Sequence, residues 1–278
     1  MNNLIILNPS SFLGKTIEKK KELEESLKKF NLEYKIHISK STEDIINTVK
    51  NNKDNFTNFI SFGGDGTLHY IANVLAGSDK NVGCIPMGSG NDIARNMKIP
   101  SDIEKCCQIL KKPNIKRIDL GLINSKYYYL AVSGTGFDSV VNDLANKTKF
   151  PVKGPAKYKY AVYKTLITFK SKKFTFKYND TSRTIDAMML AIGNMTTYGG
   201  GMKITPEADP ADGILDLCII KRMSKIHFIK TFPLVFEGTH VNDSFVEYTN
   251  AKNIEIDSEQ NFSVFGDGEY ICKLPAKF

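Results

Sequence analysis

The stretch Ile60-Ser61-Phe62-Gly63-Gly64-Asp65-Gly66-Thr67-Leu68 runs an apolar segment into glycines, an aspartate and a threonine, and then into a segment with helical periodicity. That order predicts a strand, a tight turn and a helix, the repeating unit of a parallel sheet covered by helices. Glycines at such a turn let backbone N–H groups approach an anion with no Cβ in the way, and the start of the next helix adds partial positive charge. Asp65 can hold Mg²⁺ directly or through water, and Thr67 can donate to a phosphate. The same residues also suit a plain strand-to-helix turn capped by Asp65, so alone the loop leaves both readings open.

Outward from this loop the rhythm of strand and helix continues in both directions. Strand signals at Leu4 to Leu7, Tyr34 to Ile38, Asn58 to Phe62 and Val82 to Ile85 alternate with helical signals at Lys15 to Phe30, Thr42 to Asn51, Leu68 to Leu75 and Asp92 to Met97. A second glycine loop, Pro86-Met87-Gly88-Ser89-Gly90-Asn91-Asp92-Ile93-Ala94-Arg95, also follows a strand and precedes a helix. Ligands on open parallel sheets bind at the carboxyl ends of the strands, so the two loops are expected to face one nucleotide. The rival reading of the second loop is an Asn-Asp helix cap with Arg95 on the surface. Asn8-Pro9-Ser10-Ser11 leaves the same end of the first strand. Gly14-Lys15-Thr16 resembles a phosphate loop of another kind, but Pro9 stands where the required glycine, five residues earlier, would be.

After about Leu120 the pattern changes to short β-rich runs separated by glycine, asparagine and aspartate: Tyr127 to Val132, Phe174 to Tyr178, Ile185 to Ile192, Ile214 to Ile220, Ile254 to Ile256, Phe262 to Phe265 and Tyr270 to Leu274. Helical stretches interrupt them at Ser139 to Lys147, Ala156 to Phe169 and Ser224 to Phe232, the last capped by Ser224 and ended by Pro233. The expected organisation is an α/β nucleotide-binding domain over 1–121 and an antiparallel β-sandwich over 122–278, with chemistry in a cleft between them. A length of 278 residues favours two domains over one core. No stretch approaches the roughly 18 apolar residues of a membrane span. Met1-Asn2-Asn3 leads into a first strand with no basic leader, so the chain is expected in the cytoplasm. The five cysteines (Cys84, Cys106, Cys107, Cys218 and Cys272) form no C-x-x-C pair, which argues for reduced thiols over zinc or disulfides. A formal charge of +8 favours an anionic partner without choosing among nucleotide, nucleic acid and acidic membrane.

With both loops in hand, the chain resembles the diacylglycerol kinase and sphingosine kinase superfamily, most closely its soluble bacterial lipid kinases. The resemblance extends through Asn8-Pro9, Asn194 with Gly199-Gly200-Gly201-Met202-Lys203-Ile204-Thr205-Pro206-Glu207-Ala208, then Asp212-Gly213-Ile214-Leu215-Asp216, and closes at Gly266-Asp267-Gly268-Glu269. It implies an α/β nucleotide domain followed by a β-sandwich, with ATP and Mg²⁺ as cofactors and a membrane lipid as acceptor, diacylglycerol first. Glu269 matches the general base that takes the proton from the lipid hydroxyl, although by itself its motif reads as a hairpin turn. Asp65 would organise Mg²⁺ and its waters, with Asp92 supporting that network. Asn8, Pro9, Gly63, Gly64, Gly66, Thr67, Ser89 and Asn91 would line the nucleotide, and Ser39 would add a contact. The Asp212 side chain with the backbone oxygens of Asp209 and Ile214 matches the family's second Mg²⁺ site; on local grounds the same segment reads equally as an Asp-Gly turn. Phe12 departs from the family, standing where relatives commonly carry a glycine. Only nine residues follow Glu269, whereas many relatives run on and return to the first domain, so that tie is expected to be absent or shortened here. Relatives also form homodimers.

From Lys147 to Lys173, nine lysines (Lys147, Lys149, Lys153, Lys157, Lys159, Lys164, Lys170, Lys172 and Lys173) interleave with Phe150, Tyr158, Tyr160, Tyr163 and Phe169. A surface of this composition suits peripheral contact with acidic headgroups at the inner membrane face. It also resembles a platform for single-stranded nucleic acid, and a solvated helix face is the ordinary reading. No helix-turn-helix or RNA-binding signature accompanies the charge, so a nucleic-acid partner is not expected. The competing functions are a kinase of another lipid such as a sphingoid base, ceramide or phosphatidylglycerol, a kinase of a soluble substrate such as NAD, and a non-catalytic nucleotide or lipid sensor. NAD kinases hold the substrate ribose with an Asn-Glu pair, and no such dipeptide occurs here.

Overall fold

A computed structural model describes residues 2–147, 155–179 and 181–278. The chain divides into two compact units, Met1–Arg117 and Ile118–Phe278. In the first, β1 (Asn2–Leu7), α1 (Lys20–Lys29), β2 (Glu33–Ile38), α2 (Thr42–Asn52), β3 (Asn58–Gly63), α3 (Asp65–Leu75) and β4 (Asn81–Pro86) alternate, followed by α4 (Asp92–Asn96) and α5 (Ile103–Lys111). The strands form a parallel sheet in the order β2-β1-β3-β4. Its two faces follow from the period of two along each strand. Ile5 and Leu7 pack with Leu23 and Leu27 of α1 and with Ile103, Cys106 and Cys107 of α5. Leu4 and Ile6 pack with Ile45 and Val49 of α2 and with Ile71 and Leu75 of α3. Burial on both faces explains why β1 and β3 read as continuous apolar runs.

The amino ends of three strands are cross-linked by side chains. Asn81 Nδ2 donates to Asn58 Oδ1 at 2.8 Å and Asn58 Nδ2 to Asn3 Oδ1 at 2.9 Å, while Asn3 Nδ2 reaches the Glu33 carbonyl at 2.7 Å. Asn3, Asn58 and Asn81 are register partners across the sheet, so a one-residue slip would break the ladder as well as turn apolar side chains to the wrong face.

Two local expectations change. The helix expected from Lys15 begins only at Lys20; Phe12–Gly14 and Thr16–Lys19 are short 3₁₀ turns, and Phe12 and Gly14 have φ of 52° and 86°. Helix α5 has no counterpart in the sequence reading, although Ile103, Cys106 and Cys107 fall on one face and the Asp102 side chain caps it by accepting from Lys105 N.

The second unit contains β5 (Gly121–Ile123), β6 (Tyr127–Tyr129), β7 (Val132–Gly136), α6 (Phe137–Lys147), α7 (Pro155–Thr168), β8 (Lys172–Tyr178), β9 (Thr181–Gly193) and β10 (Leu215–Lys221). There follow α8 (Lys225–Thr231), α9 (Leu234–Glu237), β11 (Val246–Ala251), β12 (Ile254–Ser258), β13 (Ser263–Gly266), β14 (Glu269–Lys273) and β15 (Ala276–Lys277). An antiparallel sheet runs β14-β13-β7-β9-β8-β12-β15, with β10 pairing to β9 and β11 to β10. The long β9 is its hub, and Phe174, Phe176, Leu190, Ile192, Leu217, Ile219 and Val264 form its core. The last residues belong to this sheet: Ala276 pairs with Ile256, and Phe278 exchanges backbone bonds with Ile254. Fold class thus agrees with expectation: a parallel α/β unit followed by an antiparallel one.

The single strand expected over Tyr127 to Val132 is split at Leu130 and Ala131, whose amides go to a side chain described below. Ser224 caps α8 as expected, accepting from His227 N, while Pro233 begins a second short helix, α9. All five cysteines are free thiols. Burial pushes Cys84, Cys106 and Cys218 up to about 12, which leaves them inert as nucleophiles. Side chains of 146–159, where much of the lysine and aromatic stretch falls, lie outside the described residues. Among the described residues no helix is long and apolar enough to cross a membrane.

The asparagine ladder yields a stability prediction. Asn58→Ala leaves the Asn81 amide and the Asn3 carbonyl oxygen without that buried partner and is expected to lower unfolding free energy by about 2 kcal/mol, read from urea denaturation.

Candidate functional site

Strands β1, β3 and β4 deliver their loops to one end of the sheet. Asn8 N donates to the Phe62 carbonyl at 3.1 Å, and Met87 N donates to the Gly63 carbonyl at 2.8 Å. The loops then touch one another. Asn8 Nδ2 donates to Thr67 Oγ1 at 3.0 Å, a bond that leaves the threonine proton to be donated elsewhere, and Gly64 N donates to Ser11 Oγ at 3.3 Å. A Cβ on Gly88 would lie 2.6 Å from Gly64 Cα and 2.7 Å from Asn91 Oδ1, so the two glycine loops meet backbone to backbone.

Asp65 is the first residue of α3, yet its carboxylate serves α4. Asp92 N donates to Oδ2 and Ile93 N to Oδ1, both at 3.1 Å. Asn91, the residue before α4, stands at φ 52° and folds its amide back on its own loop, accepting from Gly88 N at 2.7 Å and donating to Gly88 O at 3.0 Å. Asp65 therefore supplies the cap that Asn91 does not. The Asp92 carboxylate pairs with Arg95, which also donates to the Gly90 carbonyl at 3.1 Å. Ser89 is exposed at the loop tip.

The structure thus brings Asn8, Gly63, Gly64, Asp65, Thr67, Asn91 and Asp92 together, with Pro9, Gly66 and Ser89 on the same segments. Ser39 is different: it is buried, and its hydroxyl donates to the Leu7 carbonyl at 3.2 Å, closing the ends of β1 and β2. Phe12 keeps the left-handed backbone that a glycine would hold without strain.

In the second unit Gly266-Asp267-Gly268-Glu269 joins β13 to β14 as a hairpin, with φ of 53° at Asp267 and 85° at Gly268. The Asp267 carboxylate accepts from Leu130 N and Ala131 N, both at 2.8 Å, and its own N–H goes to the Val132 carbonyl at 3.0 Å. This anchors the hairpin to the β6–β7 junction and fixes where Glu269 starts β14, opposite Gly266. Beneath lies Tyr129, fully buried, its ring covering its cross-strand partner Gly121; burial drives its phenol well above 10.

The segment 209–214 is a turn organised by its own carboxylates. Asp212 Oδ1 accepts from Ile214 N at 2.9 Å, Asp209 Oδ1 from Ala211 N at 3.0 Å, and the Asp209 carbonyl from Asp212 N at 3.4 Å. Asp119, which the sequence reading did not single out, accepts from Gly213 N at 2.8 Å and is itself held by the Asn194 amide. Nearby Asp216 is raised above its usual value by burial, opposed by a 2.8 Å bond from Tyr248 OH and reinforced by Asp212 and Glu207. Among the described residues no three His, Cys, Asp or Glu side chains gather closely enough to hold a metal. Any cation here would need backbone oxygens beside Asp212, and an all-oxygen set of this kind suits Mg²⁺ or Ca²⁺.

An apolar pocket lies within the same unit. Phe137 and Val141 of α6, Val162 of α7, Met189 of β9, Ile220 of β10 and Phe228, Phe232 and Val235 around α8 and α9 line it, with Asp138, Tyr198 and Thr231 as its polar members. The space is about 530 Å³, its open mouth included, and its walls come from segments far apart in sequence.

Paired glycine loops on a parallel sheet and an Asp-Gly-Glu hairpin on an antiparallel one define a class: a two-unit kinase. Residues 2–123 match the diacylglycerol kinase catalytic domain, and residues 131–278 match the YegS C-terminal NAD kinase beta sandwich-like domain. The diacylglycerol kinase of Mycobacterium tuberculosis (strain ATCC 25618 / H37Rv) is 35% identical over 221 residues, 77% of this chain and 71% of that protein. The diacylglycerol kinase of Bacillus subtilis (strain 168) is 29% identical over 281 residues, 99% of this chain and 91% of that one. A crystal structure of a diacylglycerol kinase from Bacillus anthracis str. Sterne has a TM-score of 0.73 at 20% identity, covering 99% of this chain and 92% of that one, a likeness of fold. The chain belongs to the diacylglycerol kinase family.

If Asp65 caps α4, Asp65→Ala should lower unfolding free energy by about 2 kcal/mol, since two amides lose a charged acceptor. Urea denaturation checks the value, and Asp65→Asn should recover part of it.

Proposed function

We propose that this chain is an ATP-dependent lipid kinase that transfers the γ-phosphoryl group to a lipid hydroxyl, with diacylglycerol as acceptor and phosphatidic acid as product. Family membership supports the kinase. The observation that carries the lipid acceptor is the apolar pocket of the second unit, which suits an acyl chain and offers few groups to a charged, soluble substrate. Curated relatives named diacylglycerol kinase support that particular lipid.

In this reading the loop from Gly63 to Thr67, with Asn8, Pro9, Ser89 and Asn91, lines the nucleotide, and Thr67 donates its hydroxyl proton to a phosphate oxygen. Ser39 acts one step back, through the Leu7 carbonyl at the root of the Asn8 loop. Asp65, with Asp92 in support, would hold Mg²⁺, which would supply the positive charge that offsets the phosphates of ATP. Glu269 accepts the acceptor's proton as the oxygen attacks. Asp212 with the carbonyls of Asp209 and Ile214 would hold a second, structural Mg²⁺. The enzyme works as a peripheral homodimer at the cytoplasmic membrane face.

Labelled ATP with a panel of diacylglycerol, sphingosine, ceramide, phosphatidylglycerol and NAD tests the assignment; label appearing in NAD and in no lipid overturns it. Glu269→Gln should lower turnover at least ~100-fold while leaving ATP affinity unchanged. Retention of most turnover would remove Glu269 as the base. Adding Mg²⁺ without nucleotide should raise the melting temperature of the parent chain but not of Asp212→Ala.

A further inference from the structure

Phe12 is in two unfavourable settings at once. Its backbone stands at φ 52°, in the left-handed region, and its ring is 44% exposed. A bulky residue with such a backbone costs energy that glycine would not incur, and outliers of this kind persist only where their surroundings over-determine them. Here the loop does so. Asn8 accepts from Ser10 N on its side chain at 3.0 Å and from Ser11 N on its carbonyl at 3.2 Å. The Ser11 carbonyl accepts from Gly14 N at 3.0 Å and from the buried Thr16 hydroxyl at 2.7 Å, and the Phe12 carbonyl accepts from Lys15 N at 3.0 Å. The place is specific as well. Gly64 N donates to Ser11 Oγ at 3.3 Å, so the ring stands one residue beyond a contact with the first glycine loop. From there the chain runs into α1, which covers one face of the sheet. Tyr34 and Ile36 of β2 pack on that face, and the period of two brings Ile38, the last residue of β2 and 40% exposed, to the same side. Ile38 is the register partner of Leu7, the residue from which the Asn8 loop departs. An exposed ring and an exposed isoleucine thus lie at neighbouring strand ends, on one face, beside the glycine loops.

We infer that Phe12 is the platform on which the base of the nucleotide stacks, with Ile38 as the apolar edge of that subsite, and that the chain takes guanine as readily as adenine. The occupant follows from continuity: a nucleotide whose phosphates lie along Gly63 to Thr67 has its sugar and base within reach of a ring next to Ser11. The breadth follows from the chemistry. A stacking ring reads the π-face that both purines share, whereas telling them apart takes donors and acceptors aimed at their edges. Polar groups of this rim are spent on the protein itself. Asn8 Nδ2 goes to Thr67, Ser11 Oγ takes the Gly64 amide, the buried Ser39 hydroxyl goes to the Leu7 carbonyl, and Lys40 N goes to Asp44 Oδ2 at 2.8 Å. The inference deepens the kinase reading and rests on its placement of the phosphates at the glycine loops.

Titration calorimetry with ATP, GTP and tripolyphosphate, a probe with phosphates but no base, tests the subsite in the presence of Mg²⁺ and without lipid. The parent chain should bind GTP within about tenfold of ATP. Phe12→Gly should weaken both nucleotides by at least about fivefold and leave tripolyphosphate unchanged, while Phe12→Tyr keeps parent affinity. Glycine accepts the left-handed backbone, so the melting temperature of Phe12→Gly should not fall, and lost affinity then cannot be lost folding. A second readout is spectroscopic: the triphosphate of 2-aminopurine riboside should be quenched by stacking in the parent and in Phe12→Tyr, but not in Phe12→Gly. A smaller loss in Phe12→Gly, a loss shared equally by tripolyphosphate, or a wider gap between ATP and GTP overturns the inference. So does a change from dimer to monomer in Phe12→Gly with nucleotide binding intact, which would assign the ring to a second copy. Any of these in a chain that still phosphorylates a lipid leaves the kinase reading standing. Stacking on Phe12 in a chain that phosphorylates no lipid sinks the lipid-kinase reading and leaves the subsite, whereas a parent that binds no nucleotide overturns both.

Discussion

The donor side of the structure depends on one carboxylate. Asp65 begins α3, but its oxygens hold the first two amides of α4, and this bond joins the loop after β3 to the loop after β4. Only glycine at 64 and 88 lets those loops come close enough for it, since a Cβ on either would press on the other's backbone. Once they are joined, Asn91 need not cap its own helix. Its amide closes the second loop, and its left-handed backbone turns Asp92 toward Asp65. Polar groups bridge the two loops across a long stretch of chain, while the asparagine ladder fixes the register at the opposite end of the strands.

The same device recurs in the second unit with different geometry. Gly266-Asp267-Gly268 repeats the Gly64-Asp65-Gly66 tripeptide, and again the aspartate takes two consecutive amides, here Leu130 and Ala131. Flanking glycines matter for different reasons in the two places. At 64 the issue is close approach, at 268 a positive φ that only glycine adopts without cost. In both, a charged acceptor gathers two donors that regular secondary structure would leave unpaired, one pair at a helix start and the other at a break between strands.

That device also marks the limit of what the sequence discloses. Both tripeptides are plain to see, and the strand-loop-helix order around the first predicts the α/β unit. Their partners are not visible, because Asp65 acts across 27 residues and Asp267 across 137. The expected single strand over Tyr127 to Val132 fails for this reason: its apolar pattern is unbroken, but two of its amides leave the ladder. Helix α5 escapes notice because its buried face rests on two cysteines and one isoleucine, a weak apolar signal over nine residues. Asp119 is a lone acid before a short strand, and only the fold sets it against Gly213. Ser39 is read from spacing as a ligand contact, and its buried bond to the Leu7 carbonyl is the part of its role that the sequence does not disclose.

The glycine loops and the apolar pocket are therefore written in the chain in unlike ways. Loops that meet backbone to backbone need glycine at fixed steps, which leaves a motif. An apolar pocket is set by volume and the scarcity of polar atoms, conditions that methionine, phenylalanine and valine meet in many orders, and this one draws on residues from Phe137 to Val235 without any of them forming a pattern. The helices around the pocket also depart from the usual rule for surfaces. Core burial accounts for Phe228 and Val235, but it cannot account for isoleucines held outward on the same short helix, beside lysines, where water gains nothing from them. A short helix with apolar side chains facing both inward and outward leaves no motif, and the arrangement appears only when the helix is seen in place.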